Sequence, residues 1–391
     1  MNPSIKKYLL FSSVFAIFTE AFFFNYIIDW KLLYLIIILN YALLAVTQKK
    51  LRVNKYFMFL LIGLFIHGAI TSLLVGVPPN LMISQIIGIS IVGIYYYNFI
   101  PLFDKKEITS VYIKISLYVA ILGYFLYFFK INLNDGRLQS IFKEPAHYVI
   151  VVLPACYYYL KQKQYLNFAI IFGTLILSNS SLGYIGCALM FIVPNISFRR
   201  VLYLFALIPV VVISFIYVYN EYSFFKMRVQ ETYDSLNVIN TGKFDEKTNL
   251  SSYALISNLH IAKRNITDHP FGTGIGSHVF MHKKVYLKET RPPEYLRIQK
   301  KHYENATDAN SLFTRMVSEM GIFGFILVLY LLYKSVKCFR SDELFLCQGI
   351  FIYFLLKLFR DGHYFPPELF FFIWLLYYSI KSYNNSKKIA V

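Results

Sequence analysis

The sequence predicts an all-α polytopic membrane protein with about twelve transmembrane helices and one large outer loop between the ninth and the tenth. Three observations carry this prediction. Of the 391 residues, 57% are hydrophobic and only 15% are charged. Long apolar runs recur along the chain, and Lys and Arg cluster in every second connection between them. A soluble protein of this length does not need so many apolar residues for its core, so lipid is the expected environment.

The apolar runs are long enough to cross most of a bilayer. Nine of them precede the longest hydrophilic segment, at residues 8–28, 32–46, 56–75, 81–100, 111–129, 146–160, 165–177, 182–196 and 201–219. Three more follow it, at residues 311–333, 344–359 and 369–380. The predicted organisation is therefore transmembrane helices 1–9 in residues 1–219, the large outer loop in 220–310, and helices 10–12 with a cytoplasmic tail in 311–391.

The net charge of +18 comes from 39 Lys and Arg against 21 Asp and Glu. The basic residues fall in alternate connections, whereas the opposite short loops at 76–80 and 179–181 contain none. Because cytoplasmic loops carry the excess of Lys and Arg, both termini are predicted to be cytoplasmic. The positive charge is thus a signal of topology, and nucleic acid is not an expected partner.

Two stretches of the sequence allow more than one topology. Residues 165–196 could form one helix of roughly 50 Å, but that would reverse the sidedness of every later basic cluster. Two short helices joined by the polar turn at 178–181 are therefore predicted. The run at 8–28 is too long for the apolar part of a signal peptide and is interpreted as an uncleaved first span. In the outer loop, amphipathic patterns at 224–236 and 250–266 predict helices of a cap over the bundle.

Several kinds of chemistry have no signature here. No nucleotide-binding glycine motif, no HExxH and no paired CxxC occurs, and the four cysteines are dispersed. His278 and His282 have helical spacing but no third ligand nearby, so a surface helix is the preferred interpretation over a metal site. The sequence therefore predicts no metal and no cofactor.

The first motif runs from Arg137 to His147 and contains Glu144-Pro145. Proline is favoured in the first turn of a helix, and a carboxylate just before it meets the positive end of the helix. Glu144 could orient an arginine or accept a proton from a hydroxyl group. It could equally be a charge that only stabilises the helix start.

The second motif is the glycine turn His269-Pro-Phe-Gly-Thr-Gly274-Ile-Gly276. Glycines allow backbone N–H groups to approach an anion closely. Loop geometry alone also explains such a turn.

The third motif begins at Asn310 and places Arg315 and Glu319 one helical turn apart at the start of a span. The two side chains share a face and can form an ion pair. An ionisable residue inside a span is costly unless it faces protein or water, which makes Glu319, like Glu20 in the first run, a candidate site residue.

The order of these motifs, with the polar turn at 178–181 between the first two, resembles the O-antigen polymerase and ligase superfamily, and within it the Wzy-type polymerases of oligosaccharide repeat units. The resemblance implies an inverting, metal-independent glycosyltransferase in the bacterial inner membrane, with its large loop in the periplasm. Its expected substrates are undecaprenyl-diphosphate-linked oligosaccharides within the membrane lipid. A chain-length regulator is a further partner left open.

The resemblance also suggests roles for individual residues. Arginines that neutralise a diphosphate leaving group are expected at Arg137, Arg264 and Arg360, with Arg315 a weaker candidate. Gly274, Gly276, Asn310 and Glu319 complete the expected substrate-binding set. The general base is left open between Glu144, His147 and His363.

Ligases of this superfamily generally carry histidine just before the asparagine of the third motif, where this chain has Ala309. This difference favours a polymerase over an O-antigen ligase. A flippase or another transporter of lipid-linked sugars is the alternative from a different class. No internal repeat typical of transporters is evident in the sequence, and the large one-sided loop fits an enzyme better.

Overall fold

A computed structural model describes residues 2–26, 28–48, 50–131, 136–195, 216–217, 219–221, 226, 230, 233 and 238–389. These residues are predominantly helical. The first half of the chain contains α1 (Pro3–Ala16), α2 (Leu32–Thr47), α3 (Lys55–Val75), α4 (Pro79–Phe99), α5 (Lys105–Phe128), α6 (Pro145–Lys161), α7 (Tyr165–Leu177) and α8 (Ser181–Ile192). The second half contains α9 (Leu250–Asp268), α10 (His278–Phe280), α11 (Glu294–Ile298), α12 (Leu312–Ser335), α13 (Phe345–Phe359) and α14 (Pro367–Ile389).

Several of these helices begin and end at sequence signals. The Asn54 side chain accepts hydrogen bonds from the first backbone N–H groups of α3, and Gly76 ends that helix in the left-handed conformation. Asp104 and Glu107 form a reciprocal capping box at the start of α5. The Ser311 side chain caps α12 through the Thr314 N–H. The chain therefore marks these boundaries locally, before any tertiary packing.

The predicted first span is wrong as a single helix. Helix α1 ends at Ala16, and residues Phe23–Tyr26 (β1) and Ile28–Lys31 (β2) form an antiparallel hairpin. The Thr19 hydroxyl donates a hydrogen bond to the Ala16 carbonyl at the helix end. The segment that follows is rich in aromatic residues, which suit a strand as well as a helix. Glu20 consequently lies in a turn rather than inside a transmembrane helix.

The two short helices predicted between residues 165 and 196 are confirmed as α7 and α8. A side chain on Gly183 would place its Cβ 2.7 Å from the Leu175 carbonyl oxygen. Glycine at this position therefore lets the start of α8 approach the end of α7, which closes the turn between them.

By length and hydropathy, four helical segments within the described residues could cross a membrane: Lys55–Val75, Pro79–Leu102, Lys105–Phe128 and Leu312–Arg340. Shorter apolar helices occur at Leu32–Thr47, Tyr165–Leu177 and Ser181–Ile192. On α3, the side chains of Phe59 and Leu73 are 68% and 88% exposed, as expected of a surface that faces lipid. The ninth predicted span, at 201–219, lies almost entirely outside the described residues, so the total of twelve stays a prediction.

The centre of the bundle is α6, which packs against α5, α7, α8 and α13. Its side chains from Tyr148 to Tyr157 are almost all buried. A Cβ on Gly349 of α13 would lie 2.8 Å from the Pro154 Cα of α6, so these two helices are in close backbone contact. This packing fixes the start of α6, where the first sequence motif lies.

Residues 238–310 are here called the cap. In the sequence, the cap separates the two parts of the chain that contribute helices to the bundle. Helix α9 confirms the amphipathic pattern predicted at 250–266, whereas most of the 224–236 pattern falls outside the described residues. Ile261, Met281 and Tyr286 of the cap form a small apolar cluster with Val77, which follows α3. Helix α9 also packs against α12. The cap is therefore anchored to the ends of membrane helices.

Candidate active site

A polar cavity of about 230 Å³ lies where four chain segments meet. The segments are the turn after α1, the start of α2, the start of α6 and the connection from α13 to α14. Its lining combines ionisable and aromatic side chains: Glu20, Lys31, Tyr34, Phe142, His147, Asp361, His363, Phe365 and Glu368. Ile17, Leu33, Val151 and Pro366 complete the wall. Two of the three predicted base candidates, His147 and His363, thus share one cavity.

His147 and Glu20 form a close polar contact in this cavity. The His147 Nδ1 atom lies 2.8 Å from both carboxylate oxygens of Glu20. Pro145 opens α6 and places His147 in its first turn. The Lys31 ammonium, at the end of β2, lies 3.5 Å from the same carboxylate. The hairpin that replaces the predicted first span therefore brings both Glu20 and Lys31 to His147.

Asp361 provides a second charged group in the lining. It forms a buried ion pair with Lys357, one helical turn earlier. Burial alone would raise the pKa of the Asp361 carboxyl, but Lys357 and the imidazoles of His147 and His363 hold that pKa well below its usual value. Burial lowers the pKa of His363. Asp361 is therefore a fixed negative charge beside two histidines.

The backbone around Asp361 is constrained. Ala309, Asn310 and Asp361 have φ values of 54°, 60° and 67°, in the left-handed region that non-glycine residues rarely adopt. The Asp361 N–H donates to the Asn310 carbonyl at 3.1 Å, and the Gly362 N–H donates to an Asp308 carboxylate oxygen at 3.3 Å. The end of the cap is thus locked to the α13–α14 connection, with Asn310 at the junction rather than in the cavity wall.

One group of side chains in the described part of the chain has the ligand types and spacing for a metal ion. Ligand atoms of Asp308, Asp361 and His363 lie within 4.8 Å of one another. Two carboxylates and an imidazole suit a divalent transition metal. However, Lys357 already neutralises Asp361, and its ammonium would repel a cation there. The absence of a metal cofactor stays a prediction.

Arg315 and Glu319 form a fully buried ion pair, as their spacing predicted. The Arg315 Nε lies 3.1 Å from a Glu319 carboxylate oxygen, and its Nη1 donates to the Gly362 carbonyl at 3.0 Å. The guanidinium also stacks on the Tyr364 ring, 4.2 Å from the ring centre. Much of the hydrogen-bonding capacity of Arg315 is therefore used within the protein.

The glycine turn does approach an anion, and that anion is Glu319. The Gly276 N–H donates to one carboxylate oxygen at 2.7 Å and the His278 N–H to the other at 3.2 Å. The Gly274 N–H donates to the Glu319 backbone carbonyl at 2.8 Å. These contacts bind the cap to α12, and a substrate-binding role for Gly274, Gly276 and Glu319 stays an untested prediction.

The four predicted arginines lie in different surroundings. Half-buried Arg137 donates from Nε to the Ser178 carbonyl at 3.3 Å, and partly exposed Arg264 pairs with Glu289 at 2.9 Å and with Asp268 at 3.9 Å. The guanidinium of Arg315 is engaged in its buried ion pair with Glu319. For Arg360, no side-chain hydrogen bond or ion pair occurs among the residues that the structure describes. Arg360 directly precedes the cavity residue Asp361 in the chain but is not itself part of the cavity lining.

Glu144 precedes α6 as predicted, but its side chain is exposed and makes no capping hydrogen bond. It does not line the polar cavity. Of the carboxylates in this region, Glu20 and not Glu144 contacts His147.

The interpretation of His278 and His282 as part of a surface helix is wrong, because both are fully buried. His278 accepts or donates a hydrogen bond with Ser318 at 2.8 Å through Nδ1, and Nε2 donates to the Asn258 side chain at 3.0 Å. Burial, with the charge of Lys283 and of His302, lowers the pKa of His282 to about 4. Burial also lowers the pKa of His278 well below its usual value.

These buried histidines predict a loss of stability in acid. Unfolded histidine binds a proton near pH 6.5, whereas folded His282 binds one only near pH 4. Between these values the unfolded state holds more protons, so lowering the pH favours unfolding, by up to about 3 kcal/mol for His282. The apparent melting temperature of the purified protein in detergent should fall from pH 7 to pH 5, and less steeply in His282→Phe. Equal slopes in both proteins would contradict this role.

Several cavity residues were not anticipated from the sequence: Lys31, Tyr34, Asp361 and Glu368. The pair Lys357 and Asp361 had a usable signal, because Lys357 interrupts an apolar run and Asp361 follows one helical turn later. Lys31 and Tyr34 had none, since they reach the cavity only through the hairpin and the packing of α2.

A larger recess of about 980 Å³ lies at other helix ends, between the starts of α5 and α13 and the ends of α6 and α14. It is lined by Lys105, Lys106, Asp342 and Glu343 among others. None of the three sequence motifs contributes to it, and the predicted topology places it on the cytoplasmic side. The smaller cavity, which holds His147 and Glu20, is therefore the better candidate active site.

The fold and this cavity define a class: a predominantly helical membrane protein with ionisable side chains collected in a buried pocket. Residues 166–329 match the family described as O-Antigen ligase. This segment is therefore similar to that family, and the apolar helices of the described residues are those of a membrane protein. A search of curated proteins finds no match. The description of this family refers to enzymes of O-antigen assembly, a branch of polysaccharide biosynthesis.

The matched residues cover less than half of the chain. They include α7, α8, α9, the glycine turn and the buried pair of Arg315 with Glu319. The ionisable side chains of the polar cavity, among them Glu20, His147 and Asp361, lie outside the match.

Proposed function

We propose that this protein polymerises undecaprenyl-diphosphate-linked oligosaccharide repeat units into a surface polysaccharide, at the outer face of the bacterial inner membrane. The observation that carries the proposal is the polar cavity, in which His147 and Glu20 lie beside Asp361 and His363. The family match supports the class of substrate. The reaction is an inverting, metal-independent glycosyl transfer.

In this reaction the acceptor sugar hydroxyl attacks the anomeric carbon of the donor. The new C–O bond forms as the bond to the diphosphate breaks, and the electron pair passes to the diphosphate oxygen. Attack from the opposite face inverts the anomeric configuration. The hydroxyl proton must go to a base within hydrogen-bonding reach.

His147 is the strongest of the three base candidates. It lines the cavity and is held by Glu20. His363 also lines the cavity, with a ring nitrogen within 4.8 Å of carboxylate oxygens of Asp308 and Asp361, but no hydrogen bond orients its ring among the described residues. Glu144 is exposed and outside the lining. Because the Glu20 carboxylate also favours the protonated imidazole, we assign proton acceptance to the neutral form of His147.

The diphosphate needs positive charge as the bond breaks, since developing negative charge is where fixed donors contribute most. Arg360 directly precedes the cavity residue Asp361 in the chain, and its guanidinium is not engaged by the described residues. Arg137 has donors left beyond its single contact to Ser178. Arg264 is a third candidate, although Glu289 and Asp268 compete for its donors.

Arg360→Lys is expected to lower the transfer rate by about 10- to 100-fold. Lysine keeps the charge but cannot give the paired hydrogen bonds of the fork to a diphosphate, and a hydrogen bond to a charged group contributes about 1.5–3 kcal/mol. The measurement is polymer formation by purified protein from isolated lipid-linked repeat units.

The matched control is Arg297→Lys, at an exposed arginine of the cap, which should leave the rate within about two-fold. Measuring Arg264→Lys in the same series shows which of the two arginines, Arg264 or Arg360, contributes more to the transfer rate. Wild-type activity in Arg360→Lys together with a large loss in Arg264→Lys would assign the diphosphate contact to Arg264 of the cap instead of Arg360.

Ala309 supports polymerase rather than ligase, because it offers no ionisable group where ligases generally carry histidine. Ala309 is fully buried and does not line the polar cavity. The description of the matched family as O-antigen ligase keeps ligase as the second candidate.

The test between these functions is the surface polysaccharide of a strain that lacks the gene, with and without the restored gene, separated by gel. A polymerase predicts that the ladder shrinks to the anchor carrying one repeat unit. Loss of every repeat unit would instead indicate a ligase or a flippase and would overturn the proposal.

A further inference from the structure

The contact between Glu20 and His147 has a geometry that selects one form of the imidazole. Nδ1 is 2.8 Å from each carboxylate oxygen, and the two side chains are only 13% and 19% exposed. An ionised carboxylate can accept hydrogen bonds but cannot donate one, so Nδ1 must carry the proton. Among the described residues, no hydrogen bond to Nε2 occurs. A neutral His147 therefore has its lone pair on Nε2.

We infer that Glu20 is the positioning residue of the transfer reaction: it holds His147 in the Nδ1–H tautomer and so leaves Nε2 as the base for the acceptor hydroxyl. This inference rests on the proposed function. When Nε2 takes the hydroxyl proton, the imidazolium forms against the Glu20 carboxylate, which stabilises it. The proton then leaves to water after the new glycosidic bond has formed.

Glu20 reaches this position from far away in the sequence. It is 127 residues from His147, and it lies in the turn between α1 and the hairpin. The Ala21 N–H donates to the Ile141 carbonyl at 3.4 Å, which ties this turn to the segment just before α6. The Leu32 N–H donates to the Phe22 carbonyl at 2.8 Å and closes the hairpin. The turn is thus held by backbone contacts on both sides.

Other charged and titratable groups also surround His147, and they set the background of its pH dependence. Lys31 from β2, Asp361 and His363 from the α13–α14 connection, and Glu368 from α14 share the cavity. Glu144 precedes His147 on its own helix. None of these carboxylates other than Glu20 hydrogen-bonds to Nδ1, so replacing Glu20 removes the contact and leaves the rest of the field in place.

The experiment compares Glu20→Gln, Glu20→Asp and wild type in polymerisation of purified lipid-linked repeat units, with kcat, KM and the pH–rate profile measured for each. A Gln side chain can donate to Nδ1 and thus favour the wrong tautomer. We expect kcat to fall at least about 100-fold with KM within about three-fold. The acidic limb should move to lower pH, because the imidazolium loses its negative partner.

Glu20→Asp should recover at least about ten-fold over Glu20→Gln, because the carboxylate is retained. Glu107→Gln, at an exposed carboxylate at the start of α5, is the control for loss of one negative charge. If Glu20→Gln does not fold, Glu20→Ala decides: a lower kcat with an unchanged KM supports the inference, and a wild-type kcat overturns it.

Glu20→Gln with wild-type kcat and pH profile would overturn the positioning role while leaving the proposed function intact. A rise in KM alone would also overturn it, since that result indicates substrate binding. No transfer by the wild-type protein would instead contradict the proposed function itself.

Discussion

His147→Gln is expected to lower the rate of glycosyl transfer by about 10²- to 10⁴-fold, the range that a positioned general base contributes. Glutamine has a similar length and can still hydrogen-bond to Glu20, but it cannot accept a proton at neutral pH. The half-buried side chain lies at the cavity wall, at the start of α6. Little change in folding is therefore expected, and the loss should appear in kcat measured with purified protein and lipid-linked repeat units.

The matched control is His302→Gln, at a half-buried histidine of the cap that stacks on Tyr303. It should retain the wild-type rate. His363→Gln belongs in the same series, because His363 is the other histidine of the cavity. A wild-type rate in His147→Gln with a large loss in His363→Gln would identify His363, in the α13–α14 connection, as the general base instead.

Glu319→Ala is expected to destabilise the protein by about 3–5 kcal/mol, the cost of breaking a buried ion pair by removing one partner. The substitution leaves the buried Arg315 guanidinium without its 3.1 Å partner. It also removes the acceptor of the Gly276 and His278 N–H groups. Because these groups join the cap to α12, the cap should become more accessible to protease before the bundle does. Melting in detergent and limited proteolysis measure the two effects.

Glu289→Ala provides the comparison for a partly exposed pair, since it removes the partner of Arg264. Its effect should stay within about 1 kcal/mol, as for other solvent-exposed ion pairs. A Glu319→Ala protein of wild-type stability that has lost activity would contradict the structural role. That outcome would favour the substrate-binding role that the sequence motif suggested.

Most helices could be predicted from the sequence because the signals of a membrane helix lie within its own residues and in the adjacent connections. Apolar runs and basic connections predicted α2 to α8 to within six residues at each end, and the caps at Asn54 and Asp104 mark two of the starts in the structure. The first span failed for a physical reason. A hydropathy scale measures only how apolar a segment is. A hairpin rich in aromatic residues can be as apolar as a helix, so the scale does not distinguish the two.

The glycine turn shows how far a motif can be interpreted. Its glycines allow backbone N–H groups to approach an anion, and in the structure two such groups donate to a carboxylate, while the predicted binding of substrate stays untested. The source of that carboxylate could not be predicted, because Gly276 and Glu319 are 43 residues apart and meet only through the packing of the cap on α12. A motif specifies what a loop can bind, whereas the fold decides what lies within reach.

The polar cavity was only partly accessible to sequence reasoning. His147 and His363 were singled out as candidates, and Glu20 was noted as an ionisable residue in an apolar run. Their convergence depends on contacts between segments that are distant in the chain, as with the 127 residues between Glu20 and His147. Spacing within one helix predicted the pair of Arg315 with Glu319, because that pairing is local.

The central claim, glycosyl transfer from a lipid diphosphate donor, is tested most directly by incubating the purified protein with labelled undecaprenyl-diphosphate-linked repeat units and measuring both products. The account predicts one molecule of released diphosphate lipid for each new glycosidic bond, with products of two or more repeat units, in wild type but not in His147→Gln. Wild-type protein that releases no diphosphate lipid and forms no longer chains from intact donor would contradict it.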